Sequence, residues 1–124
     1  MNPGRELDFL VAEKVLGLNP KKLIVMNITR YIVEEFHDDW EDGLTRDSLP
    51  RYSTNISDAW SIVEKFDSGD KSIHVIKHGD TYGCELENRT YRGEPDTFWS
   101  GWVETAPYAI CLALLKTKGI IPND

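Results

Sequence analysis

The feature that most constrains this chain is a change in the spacing of its apolar residues. Over residues 55–67, Ile56, Ala59, Trp60 and Val63 fall on one stripe, as an amphipathic helix requires. Over residues 72–87 the period becomes two. Ile73 and Val75 alternate with His74, Ile76 and His78, and Tyr82, Cys84 and Leu86 alternate with Thr81, Gly83, Glu85 and Glu87. Gly79-Asp80 between these runs is a turn signal. A strand with one polar face belongs to an antiparallel sheet with one side partly wet. A helix that leads into such a meander makes the fold α+β.

The remaining elements fit that frame. Asn55 is a natural N-cap, with Asp58 near the positive end of its helix. Residues 97–104 read as a third strand, with Phe98 and Trp102 on one face and Trp99, Gly101 and Val103 on the other. Residues 106–118 read as a helix, with Thr105 as N-cap, Pro107 in the first turn and Gly119 at the C-cap. Its apolar arc, Ala109 to Leu115, is wide enough for a central element. Leu7, Leu10, Val11 and Val15 mark a helix over 4–17. Residues 22–36 read first as a strand or strand pair and second as a short helix. The acidic stretch 37–49 reads as an exposed loop, and 88–95 as a turn-rich loop.

With 124 residues the chain is expected to be one domain, 1–124, long enough to bury a core without staples. No apolar run approaches the ~18–20 residues that span a bilayer, and the opening Met1 to Asp8 has no apolar signal core. No membrane partner and no secretion are expected. Cys84 and Cys111 have apolar or aromatic flanks and read as buried, reduced thiols. The net charge is −7. Residues 34–47 hold seven acids (Glu34, Glu35, Asp38, Asp39, Glu41, Asp42, Asp47) and one base, Arg46; the rest holds 14 acids and 13 bases. Non-specific nucleic-acid binding is disfavoured, because phosphate contacts need an excess of Lys and Arg.

Two stretches carry a family likeness: Pro50 to Trp60 (PRYSTNISDAW), continuing to Val63-Glu64-Lys65, and Glu104 to Cys111 (ETAPYAIC), continuing through Ala113 to Lys116. With the opening Leu7 to Gly17 (LDFLVAEKVLG), they resemble the small bacteriophage and prophage proteins of the phage ABA-sandwich family. The resemblance reaches both ends and the middle of the chain. It implies an α-β-α sandwich, an antiparallel β-meander with helices packed on it, and a phage or prophage origin. It implies no reaction and no catalytic residues.

Chemical constellations are sparse. His74 and His78 on one strand sit ~13 Å apart at ~3.3 Å per residue, too far to share a metal. His37, Asp38, Asp39, Glu41 and Asp42 offer hard oxygen ligands but lack the calcium-loop pattern. Ser53, Thr54 and Ser57 have no histidine close in sequence, and no phosphate-binding or nucleophile-elbow motif occurs. No catalytic residue, metal or cofactor is therefore expected.

Tyr82, Arg89, Tyr91, Arg92, Phe98, Trp99, Trp102 and Tyr108 fall within 27 positions. An exposed ring stacks on a base and a guanidinium forks onto phosphate; the same residues also suit a protein interface. The expected site is Arg89, Tyr91, Arg92, Trp99 and Trp102. Trp99 or Tyr91 would stack the base, and Arg89 and Arg92 would take phosphate.

Together with the resemblance, this reads as a non-enzymatic phage accessory protein. It would sequester a small signalling nucleotide in the host bacterial cytoplasm as a homo-oligomer, antagonising host defence. The alternatives are an acidic inhibitor that binds a host protein through residues 34–47, and an enzyme that processes a small nucleotide.

Overall fold

The computed structural model describes residues 1–36, 47–66, 70–89 and 95–121. It is α+β, with three α-helices and two antiparallel sheets among the described residues. Helix α1 spans Arg5–Leu10 and runs on as a π turn, Val11–Val15. Strands β1 (Pro20–Val25) and β2 (Ile28–Val33) pair as a hairpin, followed by a short 3-10 turn, Glu34–Phe36. Helix α2 is Ile56–Phe66. Strands β3 (Lys71–His78), β4 (Thr81–Asn88) and β5 (Asp96–Trp99) form the second sheet in that order. Helix α3 is Ala106–Thr117.

Helix α3 is the centre of the molecule. Pro107, Ala109, Ile110, Cys111, Ala113, Leu114 and Leu115 are all buried. It lies across the inner face of the β3–β4–β5 sheet and against α2 and the π turn. Both of its ends are built as the sequence indicates. Thr105 Oγ1 accepts from Tyr108 N. At the other end Gly119 (φ 74°) lets Gly119 N and Ile120 N donate back to Lys116 O and Leu115 O, a Schellman cap.

Residues 22–33 resolve as a strand pair, and Glu34–Phe36 follow as a 3-10 turn. Val25↔Ile28 closes the hairpin over Met26 and Asn27, both left-handed (φ 51° and 64°), the geometry of a two-residue type I′ turn. The short-helix alternative is confined to that 3-10 turn. Of the acidic loop, residues 37–46 lie outside the described residues. Its end is not exposed loop: Ser48 N and Leu49 N both donate to Tyr31 O, and Leu49 is buried.

The stripe of α2 also needs correction. Its buried residues are Ala59, Ile62 and Val63, whereas Ile56 and Trp60 are about half exposed, at 50% and 46%. The helix is rolled so that Ile62 meets the core and Trp60 faces outward.

A buried polar knot ties α1 to the loop ahead of α2. Asp8 Oδ1 accepts from Ser53 N (2.8 Å) and Ser53 Oγ (2.6 Å), and its Oδ2 accepts from Arg5 Nη1 (2.9 Å). Arg5 Nη2 donates on to Leu49 O, and Gly4 N donates to Ser53 Oγ. Asp8 and Ser53 are fully buried. Beside the knot, burial pushes the Tyr52 hydroxyl up to about 12.

Candidate ligand-binding surface

The inner face of the second sheet carries Ile73, Val75, Cys84, Leu86 and Phe98 toward α3. Its outer face carries His74, Ile76 and His78 on β3 and Gly83 and Glu85 on β4. At the end of β5 the ladder changes. Trp99 pairs with Glu85, and Val103 bridges Tyr82. Three positions separate Glu85 from Tyr82, but four separate Trp99 from Val103. The extra residue makes a β-bulge, which breaks alternation and turns the strand.

Ser100 pairs with Cys84, so Gly101 and Trp102 form the bulge opposite Gly83. Buried Ser100 Oγ accepts from Cys84 N (2.8 Å) and donates to Gly101 O (2.7 Å), while Gly101 takes φ 86°. That conformation suits glycine.

The bulge overturns the simple alternation. Phe98 and Val103 both pack against the core. Trp99 and Trp102 both lie on the outer face, edge to face with centroids 5.0 Å apart. His78 flanks Trp102 at 5.4 Å. Trp102 remains 49% exposed. Gly83 is the floor under Trp99: a Cβ there would sit 2.1 Å from Trp99 Cη2. Lys116 Nζ donates to Trp99 O and holds this strand end to α3. The result is an aromatic shelf backed by the central helix.

The remaining expected site residues are placed differently. Arg89 lies just beyond the far end of β4, where its N donates to Asp70 O and its side chain pairs with Glu87 in the open. The row of Trp99 is at Glu85, so Arg89 is four residues, ~13 Å, away along the strand. The structure brings Trp99 and Trp102 together and keeps Arg89 apart from them. Tyr91 and Arg92 lie outside the described residues.

Gly83 and His78 belong to the shelf although the sequence reading did not include them in a ligand site. An isolated glycine inside a strand pattern signals close approach of another group, and Gly83 is such a residue.

Part of the acidic segment serves its own chain. Glu34 pairs with Lys21 and accepts from Asn19 Nδ2, Glu35 accepts from Asn19 N, and Asp47 accepts from Tyr31 N. The Lys21 contact holds the Glu34 carboxyl below its ordinary value. Among the described residues, no group of three or more His, Cys, Asp or Glu is placed to hold a metal, and no helix is long and apolar enough to cross a membrane.

Both thiols are driven away from their reactive form. Burial pushes Cys84 up to about 12 and Cys111 well above its ordinary value. Thiolate is the nucleophile. Native protein at pH 8 should therefore leave both unlabelled by a disulfide reagent over minutes and release two equivalents once unfolded. Rapid labelling of the native chain would contradict this burial.

Comparison with known families gives one decisive match. Residues 9–115 match the family model described as the Phage ABA sandwich domain. The chain belongs to this family. The match covers most of the chain, and the α+β architecture agrees with it. No curated protein and no solved structure gives a match. Within this Phage ABA sandwich domain the shelf lies on the sheet face opposite α3.

Proposed function

We propose that this phage protein works by binding and without catalysis, capturing a small signalling nucleotide on the outer face of the sheet and so antagonising a host defence system in the bacterial cytoplasm. The observation that carries the reading is the bulge at Gly101-Trp102, which sets two tryptophans side by side on one open face with Trp102 half exposed. Stacking a base on an aromatic ring contributes about 1–3 kcal/mol. That alone is too weak for stoichiometric capture, so phosphate contacts must supply the rest. Arg89 and Arg92 are the candidate donors. Because Arg89 sits away from the shelf, a ligand that touches both is extended, or a second copy of the chain brings its arginines to the first.

Capture and release tests the reading. The protein is incubated with linear, cyclic and ADP-ribose-derived nucleotides, filtered and heat-denatured, and the released compound is identified by mass. An intact nucleotide in stoichiometric amount is expected, and a chemically converted product would point to an enzyme instead. Arg89→Ala with Arg92→Ala should abolish retention. The exposed Arg89–Glu87 pair is worth at most about 1 kcal/mol, so the melting temperature should hardly move. Unaltered retention in the double variant would remove both arginines from the site.

A further inference from the structure

A second feature lies on the helix side of the second sheet. A cavity of about 220 Å³ opens where α1's π turn, α2, β3 and α3 meet. Val15, Leu16, Ile62 and Phe66 form its apolar part, and Lys65, Lys71 and Lys118 stand around it. Lys71 Nζ lies over the Phe66 ring, 5.0 Å from its centroid. Among the described residues no carboxylate lines the cavity, and none of these three lysines is in an ion pair.

The competing explanation is that the lysines only neutralise helix ends. The C-termini of α2 and α3 both point here, and each carries roughly half a negative charge. Together they amount to about one negative charge against the three ammonium groups that line the cavity, so the helix ends alone do not balance them. Three lysines on one cavity lining without a carboxylate are conspicuous in a chain of net charge −7 with only 14 Lys and Arg.

We infer that this cavity is a binding site for an amphiphilic anion, a phosphate or similar oxyanion carried on a small apolar or aromatic body. The body fills the space over Leu16, Ile62 and Phe66, and the ammonium groups of Lys65, Lys71 and Lys118 take the oxyanion. Compact, rotatable ammonium groups suit a phosphate as point charges. The inference is independent of the shelf, since the two sites share no residue.

The test uses the full chain and phenyl phosphate as probe, followed by amide chemical shifts and by melting temperature. The expected result is saturable shifts confined to Leu16, Phe66, Lys71, Lys118 and their neighbours, with a rise in melting temperature. Phenol and inorganic phosphate should each bind at least tenfold more weakly than phenyl phosphate. Binding should weaken with added salt, as contacts between exposed charges do. Lys65→Gln with Lys118→Gln should reduce phenyl phosphate affinity at least tenfold while the fold, read by the same spectra, persists. Shifts scattered over the surface without saturation, or equal affinity in the double variant, would overturn the site. A double variant that loses stability while the wild type gains none from phenyl phosphate would assign the lysines to the helix ends alone.

Discussion

Replacing Asp8 with alanine is expected to lower stability by about 3–5 kcal/mol, the usual cost of removing one partner of a buried charged pair. The change strands several groups at once. Arg5 keeps its charge in a largely buried place, with an Nε–H that already has no partner. Ser53 N–H loses its acceptor, while Ser53 Oγ keeps only the longer bond to Gly4 O, 3.1 Å. The whole stability of a domain is about 5–15 kcal/mol, so the loss is a large fraction of it. For a chain of this size the melting temperature should fall by roughly 10–20 °C. Asp8→Asn retains an acceptor for Ser53 and should fall less. Calorimetry of the two variants checks this, and a loss under about 1 kcal/mol for Asp8→Ala would show that the knot does not hold α1 to the 49–55 loop.

Gly83→Val should dismantle the shelf and leave the core standing. Any Cβ at position 83 falls 2.1–2.9 Å from three atoms of the Trp99 ring. The obstruction is a side chain, so the ring swings away and the backbone holds. Cys84 and Leu86 point to the opposite face and keep their burial. The cost should be about 1–3 kcal/mol, as for other overpacking changes. The Trp99–Trp102 contact is lost, which near-ultraviolet circular dichroism reads directly, and tryptophan emission should move to longer wavelength. The far-ultraviolet spectrum should be preserved. An unchanged aromatic signal would mean that Trp99 does not rest on Gly83.

Most of the architecture was legible because periodicity and caps agree. The strands 72–78 and 81–87, the caps Asn55 and Thr105 and the wide apolar arc of α3 all describe what forms. The hairpin of β1 and β2 was half legible, because its turn uses Met26 at positive φ. The usual Asn-Gly signal is absent, and a methionine there pays a steric cost that the pairing Val25↔Ile28 offsets. Helix α2 misled because two stripes are available to it. Tertiary packing selected Ala59, Ile62 and Val63 and left Trp60 outside.

The shelf was legible in composition but not in geometry. Strict alternation assigns Trp99 and Trp102 to opposite faces. One extra residue between Glu85↔Trp99 and Tyr82↔Val103 reverses that assignment. Gly101 was the available clue, since glycine inside a strand pattern often marks a bulge. The lysine-rimmed cavity had no sequence signal: Lys65, Lys71 and Lys118 lie on three different elements, and only the packing of the two helix ends brings them together.

The central claim is that the bulge builds a nucleotide-binding surface from Trp99 and Trp102. Capture and release with wild type and Trp102→Ala side by side tests it most directly. Trp102 is half exposed and outside the core cluster, so the variant should fold. The account predicts that the wild type retains one intact nucleotide species in stoichiometric amount and that the variant lets it pass into the filtrate. Equal retention by both proteins would place the ligand elsewhere, and retention by neither would contradict the nucleotide reading for every compound in the panel.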